Sequence, residues 1–260
     1  MSRRRIDPAL RALPAWLVPL ALLAAIELAM RGTGIQSDGL ARPSQVAIAL
    51  AELIVDGEIF LRTAETMIAI AVGAPIGGGL GLLIGVWLGL SPKASQLASL
   101  SIELFRPIPP VAIIPLTMLI YGLGVRMEAA ILAFTCFWPM LLLTRDAVRN
   151  VEPRLIEVAR MLGLPRRRQI TRIALPAAVP RIFTALRLTL GIALIVAVTT
   201  EIAANPFGLG YAIISAGLSL RPEAMYAFLV WLAMLGWLLN TGLIALHHRL
   251  FGAAYGDVAT

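Results

Sequence analysis

The stretch "VGAPIGGGLGLLIGVWLGL", residues 72–90, carries seven glycines and no charge. Gly77, Gly81, Gly85 and Gly89 recur every four residues, which places them on one face of a helix. Such a face lets a second backbone approach closely, as in the small-xxx-small packing of membrane helices. A phosphate-binding loop would need a lysine followed by serine or threonine after its glycines, and none follows here. The stretch reads as a packing helix.

Composition supports this outward from the stretch. Of the 260 residues 59% are hydrophobic and 14% charged, against about 25% charged in ordinary soluble domains. Several apolar runs reach the roughly 20 residues that cross a bilayer core. The chain reads as an integral membrane protein. The lone Cys136 forms no internal disulfide. The start "MSRRRIDPALRALPAW" has the shape of a signal peptide. The apolar run Ala15–Met30 lacks a small-x-small cleavage site, so an uncleaved first span is expected.

Six spans are predicted, at about Pro14–Met30, Arg62–Leu90, Ile102–Leu123, Met127–Leu143, Ala177–Ala204 and Glu223–Leu246. Residues 1–60 form an N-terminal segment with the first span, 61–246 the transmembrane domain and 247–260 a cytoplasmic tail. Basic residues in short loops stay in the cytoplasm. With the N-terminus inside, 17 of the 22 basic residues lie on that side. Only Arg31, Arg42, Arg62, Arg126 and Arg221 fall outside. Both termini are expected in the cytoplasm of a multi-pass inner-membrane protein. The basic pI near 10.7 thus follows from topology, and no nucleic-acid partner is implied.

The longest cytoplasmic loop, residues 145–176, holds eight arginines against Asp146, Glu152 and Glu157. Pro153 can open a helix, because a first-turn proline loses no needed N–H. Residues 154–162 make about two turns, with Leu155, Val158, Met161 and Leu162 on one side. Gly163 fits the left-handed residue that ends such a helix. Pro165 starts a second short helix, "RRRQITRIAL", toward Pro176. The prediction is a bent helical pair at the membrane surface with a bare apolar ridge, which implies a partner.

The segment spells E-x-A-x3-G-x9-I-x-L-P through Glu157, Ala159, Gly163, Ile173, Leu175 and Pro176. This resembles the EAA loop of the permease subunits of bacterial ABC importers, with Val158 in place of the middle alanine. The stretches "LFRPIPPVAIIPLTMLIYGLG" (Leu104–Gly124) and "EIAANPFGLGYAII" (Glu201–Ile214) resemble the subfamily that imports sulfonates, taurine, nitrate and bicarbonate. The resemblance covers residues 42–250. It implies an all-α type I ABC transmembrane domain of about six transmembrane helices with a cytoplasmic coupling helix. That helix docks on an ATPase subunit, and Met161, Leu162 and Leu164 belong to the same docking loop. By the same resemblance the partners are two ABC ATPase subunits, a second permease copy in a homodimer, and an external solute-binding protein. ATP belongs to the partner subunits, and this chain needs no cofactor.

Ionisable groups inside spans are candidates for a transport path or gate. Glu103 and Arg106 lie three apart on one helix face, where a structural ion pair is favoured over a gate. Arg187 can snorkel to the cytoplasmic headgroups. Glu201 lies about 21 Å further along the same helix, beside Thr199, Thr200 and Asn205. It faces either a polar outer vestibule or the following "NPFGLG" turn. Glu157 either pairs with a partner's basic group or bonds Arg154 or Arg160. Arg166–Arg168 read as a topology anchor. His247 and His248 are adjacent at a helix end, and no His, Cys and carboxylate cluster has metal-ligand spacing. No catalytic residue and no metal site is expected. The alternatives are a stand-alone secondary transporter, which should show two similar halves, a membrane-embedded enzyme, and a permease for a neutral solute such as a pyrimidine.

Overall fold

The computed structural model describes residues 17–32 and 39–252, and among these no β-strand occurs. Its spine is a pair of long helices, α3 (Glu58–Leu90) and α6 (Val125–Arg149). A Cβ added at Gly73, Gly81 or Gly85 would stand 2.6, 2.5 or 2.6 Å from the carbonyl oxygens of Ala129, Phe137 and Leu141. At Gly89 it would lie 2.9 Å from the Arg145 carbonyl, and at Gly77 it would strike the Ala133 backbone. The glycine face is therefore a seam where two backbones touch. Contacted carbonyls advance along α6 as the glycines advance along α3, so the two helices run parallel. Parallel neighbours require the chain between them to cross back once.

That return is broken. The sequence predicts a span at about Ile102–Leu123; the structure instead has α4 (Pro92–Phe105), a 3-10 turn at Pro110–Ile113 and α5 (Ile114–Tyr121). The two limbs are bent by 77°. Pro107, Pro109 and Pro110 explain the break, since proline removes a helical N–H and pushes the residue before it toward extended backbone.

A second correction concerns the fifth span. The "RRRQITRIAL" helix does not stop before Pro176. It continues as α8 (Arg166–Gln169), a π-helical turn at Ile170–Ala174 and α9 (Leu175–Ala203), one run of 38 residues. The wider turn lies where the ring of Pro176 would otherwise press on the Arg172 carbonyl. α9 packs antiparallel to α6: Met127 and Ile131 cluster with Val196 and Ala204, while Ala147 and Val148 cluster with Ala178 and Leu175. α3, α6 and α9 meet over Ala69, Ala74, Leu132, Cys136, Ala193 and Ala197. Small side chains there keep the three axes close.

α10 (Gly208–Leu218) is too short to cross, and α11 (Pro222–Phe251) returns along the bundle, five residues past the predicted end. Among the described residues four helices are long and apolar enough to span a membrane, or five if the bent pair counts as one span. α1 (Leu17–Gly32) buries no residue, and the predicted start of its span, residues 14–16, lies outside the described residues, as does 253–260 of the predicted tail. It leans on α2 (Pro43–Val55) through Glu27, whose carboxylate accepts from the Ser44 N–H at 3.1 Å and hydroxyl at 2.8 Å.

Candidate functional site

The arginine-rich loop folds much as its residues dictate. Pro153 opens α7 (Pro153–Met161) and Gly163 takes the left-handed conformation, φ 64°. The Gly163 N–H bonds the Arg160 carbonyl at 2.9 Å and the Leu164 N–H bonds that of Ala159 at 3.1 Å. This paired closure satisfies two carbonyls at the helix end. The Gln169 side-chain amide then donates to the Leu164 carbonyl at 2.7 Å, locking the turn from the other side. Ala159 is fully buried against the following turn, where a larger side chain would pry α7 away.

The ridge of α7 beside Ala159 is bare. Met161 is 87% exposed and Leu162 70%, with Leu155 and Val158 exposed beside them. Glu157 is exposed and, among the described residues, pairs with neither Arg154 nor Arg160. Ile173 and Leu175 are half-buried and Pro176 exposed, on the π turn and the start of α9.

At the far end of the bundle the structure decides between the two readings of Glu201. The first three N–H groups of α10 are capped by side chains from other helices. Gly208 donates to Glu65 at 2.8 Å, Leu209 to the Thr66 hydroxyl at 3.0 Å and Gly210 to Glu201 at 2.7 Å. Asn205 donates to Glu128 at 2.8 Å. Glu128, Glu201 and Asn205 are each at most 2% exposed. Of the two partners open to Glu201, the structure chooses the turn. Glu65 is held in turn by Arg62 at 3.2 Å, and Arg62 stacks over Tyr211. Carboxylates at a helix N-terminus also meet the favourable end of its dipole.

Sequence reasoning missed Glu65, Thr66 and Glu128. The signal for Glu128 was a carboxylate beginning an apolar helix directly after glycines, a pattern that also fits a wet helix end. Glu103 and Arg106 form no ion pair with each other; both border an open cleft beside α4 and α6. Arg187 does not snorkel free: its Nε donates to Asn240 Oδ1 at 2.8 Å, tying α9 to α11. Among the described residues no cluster of three His, Cys, Asp or Glu could hold a metal.

With this geometry in view, the chain falls in a known class. Residues 77–251 match the family described as the binding-protein-dependent transport system inner membrane component, and the chain belongs to that family. It is 31% identical over 231 residues to a putative aliphatic sulfonates transport permease protein, SsuC, of Bacillus subtilis, covering 88% of this chain and 84% of that one. It is 34% identical over 170 residues to the taurine transport system permease protein TauC of Escherichia coli, covering 65% and 62%. A nitrate import permease protein, NrtB, of Leptolyngbya laminosa is 26% identical over 76% of this chain and 75% of its own. The fold is shared with a chain of the inward-facing MetNI methionine ABC transporter, at TM-score 0.65 and 23% identity over 74% of this chain and 95% of that one. An all-α type I transmembrane domain is thus the observed class, and the protein is a transport permease.

Proposed function

We propose that this chain forms the translocation path of an ATP-driven importer for a small organic or inorganic anion of the sulfonate, taurine and nitrate kind. Two copies enclose the path, two ATPase subunits bind the α7 loops, and an external binding protein delivers cargo at the α10 end. Both termini face the cytoplasm, and ATP is hydrolysed on the partner subunits. One observation carries the reading: a rigid, doubly closed helix end that presents a bare apolar ridge beside Glu157, Ala159 and Gly163. A solvated loop gains nothing from that order, whereas a docking helix needs it. The relatives' names supply the substrate class.

When ATP closes the ATPases, each pushes on its α7. The locked turn and the continuous α8–α9 run pass that push directly into a transmembrane helix, without a flexible joint. The test is co-purification and uptake. An ATPase subunit should elute with this permease, and methanesulfonate uptake should vanish when that subunit cannot hydrolyse ATP. Uptake that persists without hydrolysis would establish a secondary transporter instead. Exchanging the binding protein should change the order of preferred sulfonates, because delivery precedes entry into the path.

A further inference from the structure

The α4–α5 break leaves a cleft along α6 in which the Arg106 guanidinium has no acceptor among the described residues. It has two lobes, about 350 and 460 Å³, which share Arg106, Leu142 and Arg145. The larger lobe also holds Trp138, Thr135 and Pro110. Arg106 makes no hydrogen bond or ion pair among the described residues, and Arg145 has only its neighbour Asp146, at 3.3 Å. The Trp138 Nε1–H is buried without a partner. Arginine and indole N–H groups can only donate, so the unpaired Arg106, the buried and unpartnered Trp138 N–H in the lobe wall, and the Arg145 nitrogens not engaged by Asp146 together ask for a multidentate acceptor. The remaining lining is apolar at Pro110, Phe134 and Leu142 and includes the Asp146 carboxylate, which accepts from Arg145, so that Arg106 is the charge left over in the lobe. Glu103 borders only the smaller lobe, beyond Arg106, where it does not oppose an anion beside Trp138.

We infer that this lobe is a transport subsite for a small organic oxyanion: the head group is held by Arg106, Arg145 and the Trp138 N–H, and a short alkyl stem lies on the prolines and Leu142. The inference rests on the reading of the chain as an importer and adds the place where this chain itself reads charge. Planar guanidiniums suit oxyanions with several equivalent oxygens, and the volume falls in the range of small-molecule sites. The lobe separates anions from neutral solutes; it does not rank one sulfonate against another. Lipid phosphate offers the same head-group chemistry and is the competing occupant.

The test uses the permease–ATPase complex in phosphatidylcholine nanodiscs without the binding protein. Saturation-transfer NMR on the methyl protons reports binding of methanesulfonate and of its neutral isostere methanesulfonamide. Methanesulfonate should bind at least about tenfold more tightly, as expected for a charge-assisted contact. Arg106→Gln should raise its Kd about tenfold, and Trp138→Phe, which keeps an aromatic face and removes the N–H with the pyrrole part of the indole, about threefold. Lys93→Gln, outside the cleft, should leave the Kd unchanged. Elution with the ATPase checks that each variant is assembled. Equal binding of the two isosteres, or an unchanged Kd in both cleft variants, overturns the subsite. No methanesulfonate binding in the wild type, with the cleft occupied by tightly co-purifying lipid, assigns it to lipid and also overturns it. ATP-driven uptake by the complete wild-type transporter is measured in parallel: its absence overturns the importer reading, while the NMR result decides the lobe on its own.

Discussion

Gly163 is the residue on whose conformation the proposed coupling role turns. No atom lies within 4 Å of the Cβ that a larger residue would bring, yet φ is 64°. The cost of substitution is therefore backbone strain, about 1 kcal/mol, not collision. Gly163→Leu should insert and assemble normally while α7 loses its closure. We expect ATP hydrolysis with little uptake, measured side by side in proteoliposomes; normal uptake at normal protein level would remove the coupling role. Glu201 makes the contrasting case. Glu201→Ala leaves the buried Gly210 N–H without an acceptor, a cost of about 1–3 kcal/mol. Glu201→Gln keeps an oxygen and should cost less. Thermal unfolding in detergent should rank Ala below Gln below wild type. Because the side chain is sealed, competition uptake with taurine, methanesulfonate, nitrate and a pyrimidine should keep its order in Glu201→Gln.

Among the elements, the α3–α6 seam gives the sharpest energetic contrast. Gly81→Ala would place a methyl group 2.5 Å from the Phe137 carbonyl oxygen. Backbone cannot yield as a flexible side chain can, so overpacking of about 1–3 kcal/mol is expected. Gly79 lies on the same helix with nothing within 4 Å of its Cβ. There Gly→Ala should be neutral or stabilise by up to about 1 kcal/mol through helix propensity. A melting comparison of the two variants tests the seam directly, and equal behaviour would refute it. The same elements show what was legible beforehand. The glycine face, Pro153 and Gly163 each carry their meaning within a few residues, so periodicity and capping rules read them correctly. The cap of α10 did not, because Glu65 and Thr66 meet Gly208 and Leu209 across 143 positions of sequence. The α4–α5 bend was in principle visible in "RPIPP"; the surrounding hydropathy masked it. The join of α8 to α9 was hidden because two prolines mimic a helix stop, while a π turn lets the helix continue.

For the whole molecule, the parallel seam and its single returning limb fix which ends share a side. The α2–α3 junction then lies opposite the start of α7. In a Cys136→Ser background, Asp56→Cys should react with an impermeant maleimide in intact cells, and Asn150→Cys only after permeabilisation. Labelling of both from outside would contradict the arrangement. The assembly should also depend on the ridge: Met161→Asp with Leu162→Asp, both on exposed positions, should leave the fold's melting temperature nearly unchanged. The same pair should abolish co-elution of the ATPase, because charge replaces the apolar contact.

The direct contact of α3 and α6 backbones has a mechanical consequence. Side chains normally act as a compliant layer between helices, because rotamers can readjust as axes slide. Along this seam that layer is missing, so α3 and α6 must tilt as a single beam. A beam of 33 residues is about 50 Å long, and turning it by about 5° about its midpoint moves each end by about 2 Å. That stroke is comparable with the small interface shifts that switch packed proteins between two states. Gating by this permease would then be a matter of leverage, with amplitude set by beam length and not by softness of the bundle.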